Sequence, residues 1–129
     1  MIASGPHTGP ARYLEGMSIE VPLPQLFDEI DRWGFGYLLT VSDDDRTHLL
    51  ALTPTVVDHG DERVLRFAAG GGRACRNALA RPLVSMVFPP AAHSNGMSLV
   101  VDGAATVDGA DVVVRPTWAV LHRPAPPVG

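Results

Sequence analysis

Residues 63–88 read RVLRFAAGGGRACRNALARPLVSMVF, and the order of elements along this stretch organises the whole chain. Arg63 to Ala68 alternates as a strand. Gly70-Gly71-Gly72 then opens a short helix that runs to about Arg81, Pro82 stops it, and Leu83 to Phe88 is extended again. On that helix Arg73, Arg76 and Asn77 fall within roughly a 100° arc, while Ala74, Cys75, Ala78 and Leu79 take the opposite side. One face packs and the other presents two guanidinium groups. A helix N-terminus behind a glycine loop leaves backbone N–H groups free, and two arginines beside it suit a phosphate through charge-assisted hydrogen bonds. The same pattern also fits a glycine-rich turn followed by a solvated arginine face, and the spacing alone leaves both readings open.

Working outward, residues 1–22 read as a flexible lead-in with Pro6, Pro10 and Pro22 and no sustained period. Leu23, Leu26, Phe27, Ile30 and Trp33 then share one helical face, with Asp28, Glu29, Asp31 and Arg32 on the other. Pro24 suits the first turn of this helix, and Gly34 suits its C-terminal end. From Phe35 the period becomes two. Tyr37 to Val41 and the long run Thr47 to Val57 form a hairpin about an acidic turn at Asp43 to Arg46. Pro54 inside the second strand places its missing N–H at an edge, a bulge or a ligand. Past the central stretch, Pro89 to Gly96 is a loop and Met97 to Val107 alternates. Asp108-Gly109 then marks a hairpin into Val112-Val113-Val114. The expectation is a mainly β, single-domain fold: a six-stranded antiparallel split barrel with two or three short helices over residues 23–129, and a C-terminal tail from 116 to 129.

Composition narrows the function. The chain has 129 residues, enough for one domain, and all ten basic residues are arginine. Without lysine there is neither an internal aldimine for pyridoxal phosphate nor a P-loop lysine. A formal net charge of -4 disfavours nucleic acid and anionic membranes as partners. No apolar run approaches the ~20 residues of a membrane span, and Met1 to Gly16 carries no apolar signal segment, so the cytoplasm is the expected compartment. The five histidines, His7, His48, His59, His93 and His122, lack metal-ligand spacing, and no metal is expected. His48 reads as a turn-flanking residue. The single cysteine, Cys75, reads as a small buried hydrophobe.

The succession Phe35-Gly36-Tyr37-Leu38-Leu39-Thr40-Val41-Ser42, Thr47-His48-Leu49, Leu65-Arg66-Phe67-Ala68-Ala69-Gly70, Arg76-Asn77 to Arg81-Pro82-Leu83-Val84-Ser85, and Ser98-Leu99-Val100-Val101-Asp102-Gly103-Ala104-Ala105 resembles the pyridoxamine 5'-phosphate oxidase-like, FMN-binding split-barrel family over about residues 24–115. The resemblance implies a six-stranded split barrel and a homodimer. It also implies FMN, or alternatively a deazaflavin, in the groove between subunits. By position, Thr53, Pro54 and Thr55 would run beside the flavin ring, and Phe67, Ala68 and Ala69 would line the next strand. Gly72, Arg73, Arg76 and Asn77 would meet the phosphate. Trp118 of the tail would cover the ring in a partner's groove, with His122 or Arg123 at a polar edge. Members often carry threonine, serine and lysine where this chain has Ala69, Gly72 and Ala74. Three alternatives follow: the arginines compensate, the ligand differs, or no ligand binds. The functional expectation is a flavin-type oxidoreductase with unassigned catalytic residues. Its rival is a non-catalytic dimeric barrel that binds a planar cofactor for storage or sensing, or that has lost flavin.

Overall fold

The computed structural model describes residues 17–124, Met17 by its backbone alone. Strand β1 (Met17–Glu20) precedes helix α1 (Leu23–Glu29), which continues as a 3-10 segment over Ile30–Trp33. Pro24 lies in the first turn, and Gly34 ends the segment at φ +74°. Leu26, Ile30 and Trp33 are buried, as the apolar period requires. Then follow β2 (Gly36–Val41), β3 (Thr47–Leu52), β4 (Thr55–His59), β5 (Glu62–Phe67), α2 (Gly72–Ala80), β6 (Leu83–Phe88), β7 (Ser98–Asp108) and β8 (Asp111–Arg123).

The strands form one antiparallel sheet in the order β3-β2-β6-β7-β8-β5-β4, with β1 also paired to β8. Eight strands replace the six expected, for two local reasons, and the last strand is longer than expected. Pro54 divides the run 47–57 into β3 and β4, because a residue without an N–H cannot continue a ladder. Part of the expected lead-in is the strand β1, whose Glu20 pairs with Val120. Last, the final strand does not stop at Val114. It runs on to Arg123, so residues 116–123 of the expected tail belong to the sheet. Residues 1–16 of the lead-in and 125–129 of the tail lie outside the described residues.

Pro116 is tolerated in β8 because a bulge sits there. Gly103 pairs with Pro116 and Asp102 with Trp118, which leaves Thr117 as the extra residue. Gly103 is needed at this point for space: a Cβ would come 2.5 Å from Val114 Cγ1 and 2.7 Å from the Arg115 carbonyl oxygen.

Thr53 and Pro54 alone join β3, at one edge of the sheet, to β4, at the other. Three Cα-to-Cα steps reach at most about 11 Å, so the sheet curls until its edges come that close. No ladder joins β3 to β4, and the barrel stays open. Its interior is filled by Leu38, Leu65, Phe67, Met86, Phe88 and Val101, all below 2% exposed.

Candidate functional site

Helix α2 is fixed at three places. At its start, the Gly71 N–H donates to the Ala110 carbonyl (2.9 Å) and Cys75 Sγ to the same oxygen (3.3 Å), which ties the helix to the β7–β8 turn. Near its middle, buried Asn77 donates Nδ2–H to Thr40 Oγ1 on β2 (3.2 Å). At its end, Arg81 Nη1 meets Asp43 Oδ1 of the β2–β3 turn (2.8 Å). The β7–β8 turn is itself held by Arg66, whose Nε lies 2.7 Å from Asp111 and whose Nη2 lies 3.0 Å from Asp108. Hydrogen bonds to Asp111 and then Asp108 raise the guanidinium pKa above its ordinary value, so Arg66 is a fixed cation with a structural task.

The glycine run ahead of α2 has φ of +74°, +77° and +65° at Gly70, Gly71 and Gly72, and no heavy atom within 4 Å of an added Cβ. Backbone conformation, not crowding, demands glycine here. The result is an open stretch of main chain at the helix start.

Against this end of α2 the β2–β3 hairpin builds a cleft of about 520 Å³, lined by Ser42, Asp44, Arg46, Thr47, His48 and Arg73. Arg63, Arg66 and Arg81 spend their charge on Asp28 and Asp58, on Asp108 and Asp111, and on Asp43. Arg46, Arg73 and Arg76 have no ion pair among the described residues. His48 faces the barrel side of β3 opposite buried Thr40. Its Nδ1 is shut off from solvent without a hydrogen-bond partner. Ser42 is committed to the turn: Oγ donates to Asp44 and accepts from the Arg46 N–H.

The expected site residues divide. Thr53 and Thr55 are exposed on either side of buried Pro54, at the junction between the two sheet edges. Thr55 pairs with Arg66, one residue from Phe67, so this junction lies beside the chain leading to Ala68 and Ala69. Ala68 is exposed and Ala69 half-buried. Phe67 is fully buried, and its ring fills the core and lines no groove. Gly72, Arg73 and Arg76 are exposed at the start of α2, as expected. Asn77 is not with them: its amide points inward to Thr40, while Leu79, expected on the packing side, is exposed. The buried face of α2 is Ala74, Cys75, Asn77 and Ala78, so it takes in Asn77 and leaves Leu79 outside. Trp118 is a strand residue, not a tail residue. It lies six positions along β8 from Val112, the partner of Phe67, a separation of roughly 20 Å. Within one chain it stands apart from the α2 end.

Arg46 and His48 were missed because nothing periodic links a hairpin turn to a helix some 25 residues later. A second, smaller cavity of about 200 Å³ lies under α1, where His93 packs edge-on against Trp33 with centroids 4.8 Å apart. Among the described residues no group of three or more His, Cys, Asp or Glu is placed to hold a metal ion. No described helix is long and apolar enough to cross a membrane.

No family model matches the chain. Uncharacterized proteins of Mycobacterium bovis and Mycobacterium tuberculosis are each 34% identical to it over 120 residues, covering 84% of either chain. Among solved structures it is similar to an F420 reductase (TM-score 0.54, 21% identity, 71% of this chain and 93% of that one). It is also similar to an FAD-binding protein of Mycobacterium smegmatis (0.57, 19%, 82% and 97%). A candidate pyridoxamine 5'-phosphate oxidase of Listeria innocua superposes comparably (0.53, 14%, 76% and 95%).

Proposed function

We propose that the chain, which shares the fold of pyridoxamine 5'-phosphate oxidase-like split-barrel proteins, belongs to that family, binds a flavin-type cofactor and serves as an oxidoreductase. Two structural neighbours, an F420 reductase and an FAD-binding protein, support a flavin or deazaflavin, and FMN is the form we propose first.

The observation that carries the reading is the open end of α2. Exposed positive-φ main chain at Gly70–Gly72 and the unpaired Arg73 and Arg76 suit the phosphate end of such a cofactor, although Ala69, Gly72 and Ala74 offer it no polar side chain. Exposed Ala68 leaves room for a flat ring, and the Thr53 and Thr55 hydroxyls are available along its edge. A bound flavin supplies the electron chemistry. The protein's share is to anchor the phosphate, orient the ring and exclude water.

A homodimer is the second part of the proposal. Registers put Tyr37, Val41, Leu49, Leu83 and Trp118 on the outer face of β2, β3, β6 and β8, and all five are exposed, Leu83 at 81%. An exposed apolar surface of this kind suits an interface. A second copy would also bring its own Trp118 toward a groove that the first chain's Trp118 cannot reach. We expect light scattering to give twice the chain mass and Leu83→Asp to give monomer; a monomeric wild type would refute the dimer.

The test of cofactor binding is an absorbance spectrum of the purified protein, followed by titration with FMN. Saturable quenching of flavin fluorescence is expected. Reduction of the bound flavin by a nicotinamide nucleotide separates an oxidoreductase from a protein that only holds its cofactor. Failure to bind any flavin or deazaflavin would overturn the reading.

A further inference from the structure

We propose that two copies of the chain recognise each other across the outer face of the sheet by two reciprocal ion pairs, Asp102 of each copy with Arg115 of the other. The proposal rests on the homodimer reading for the second copy and adds what selects and orients it.

Asp102 on β7 and Arg115 on β8 point to the same side of the sheet. In the strand registers Asp102 stands between Ser85 and Trp118, and Arg115 stands next to Ala104, the partner of Leu83. These outward positions alternate with buried Val101, Ala105 and Val114. At the β7–β8 turn, Arg66, Asp108 and Asp111 are already paired with one another. Away from that turn, Asp102 and Arg115 are the two charged residues at outward positions of β2, β6, β7 and β8. The surface around them is apolar, with exposed Leu83 and Trp118 nearest.

Neither charge is matched within the chain. Arg115 is exposed and has no ion pair among the described residues. Asp102 is half-buried, and the Ser85 hydroxyl donates to its Oδ1 (2.7 Å), which holds the carboxylate in one orientation. That leaves Oδ2 to accept from elsewhere. On an open surface water suffices for both charges. Once the face becomes an interface the carboxylate loses that water and needs a cation, and the same face carries one.

Symmetry makes the arrangement its own complement. The two residues are diagonal neighbours on adjacent strands, about 7–8 Å apart. A two-fold axis normal to the sheet, passing between them near the Gly103–Pro116 pair, lays Asp102 of one copy over Arg115 of the other and the reverse. Packed sheets lie about 10 Å apart, a gap that a long arginine and a short aspartate span end to end. The guanidinium then meets Oδ2 while Oδ1 keeps Ser85. Apolar contacts supply the area. The charges set the orientation, because a slipped or rotated packing leaves all four of them buried and unmatched.

The experiment is sedimentation equilibrium of the full chain over a dilution series. Asp102→Arg sets arginine against arginine, and Arg115→Asp sets aspartate against aspartate. Each should weaken the dimer at least about hundredfold. The double variant Asp102→Arg with Arg115→Asp should recover to within about tenfold of wild type. An equimolar mixture of the two single variants should form a heterodimer, since each supplies what the other lacks, and this recovery also shows that both single variants fold. Asp31→Arg, on the exposed side of the 3-10 segment, makes the same change of charge off the face and should leave the dimer as it was.

The outcomes separate the pairing from the dimer. A dimeric wild type whose single variants associate as tightly refutes the reciprocal pair and leaves the homodimer standing. Single variants that fall apart, with no recovery in the double variant or the mixture, also refute the pair, because the charges then merely disturb the face. A monomeric wild type refutes the homodimer and the pair together.

Discussion

The cleft beside α2 and the cavity under α1 share one anomaly and differ in everything around it. Each contains an imidazole nitrogen buried without a partner, His48 Nδ1 in the first and His93 Nε2 in the second. Around His48 stand two unpaired arginines in an open volume of about 520 Å³. Around His93 the space is about 200 Å³, and the ring itself is held edge-on to Trp33 among Leu26, Leu99 and Leu121. An unpaired nitrogen costs about 1–3 kcal/mol, a sum that burial of an aromatic ring and its contact with Trp33 can offset. A single unsatisfied atom is therefore compatible with plain packing. What distinguishes the α2 cleft is that two exposed arginines without ion pairs line it from separate elements.

The strongest way to sharpen the contrast is to damage the α1 side. Trp33→Ala removes a buried indole from the helix–barrel contact and should cost about 3–5 kcal/mol of unfolding free energy in urea titration. FMN affinity of the folded fraction should stay as it was. A large loss of affinity would mean the two cavities act as one. A smaller effect is expected at the hinge between packing and site: Asn77→Ala strips Thr40 of its buried partner and should cost about 1–2 kcal/mol, read by the same titration. Little or no cost would show that α2 is held mainly by its ends, at Ala110 and Asp43. The smallest change should follow His93→Phe, which keeps a ring against Trp33 and removes the lone nitrogen. Less than about 1 kcal/mol of either sign is expected. A loss well beyond that would give His93 a hydrogen-bonding role and make the α1 cavity a polar site, breaking the comparison.

Much of the architecture was legible from particular residues. Leu26, Ile30 and Trp33 announced the buried stripe of α1 and its continuation, and Asp108-Gly109 announced the β7–β8 turn, with Gly109 at φ +61°. The chain from Gly70 to Pro82 declared glycine loop, helix and stop in order, and the structure has all three. Local signals suffice for such features because a period or a turn is set by a few neighbouring residues. Strand number was less legible. Pro54 was noticed, yet whether it bends one strand or separates two depends on where the sheet edges lie. Pro116 read as the start of a tail because the bulge that accommodates it is formed with Gly103, thirteen positions away.

The sequence by itself determined a mainly β domain, an amphipathic first helix and a second helix that begins on three glycines and carries two outward arginines. Its lack of lysine and its single cysteine also removed whole classes of chemistry without reference to any fold. Only the tertiary structure decided which polar groups keep company. Asn77 shares the helical arc of Arg73, but contact with Thr40 draws it into the core. Arg81 is spent on Asp43, whereas Arg46 arrives from the neighbouring hairpin to stand with Arg73 and His48. Helical or strand periodicity reports which side of an element a residue occupies, and it carries no information about what stands opposite. That is set by the curl of the sheet, which brings a turn and a helix start to the two sides of one cleft.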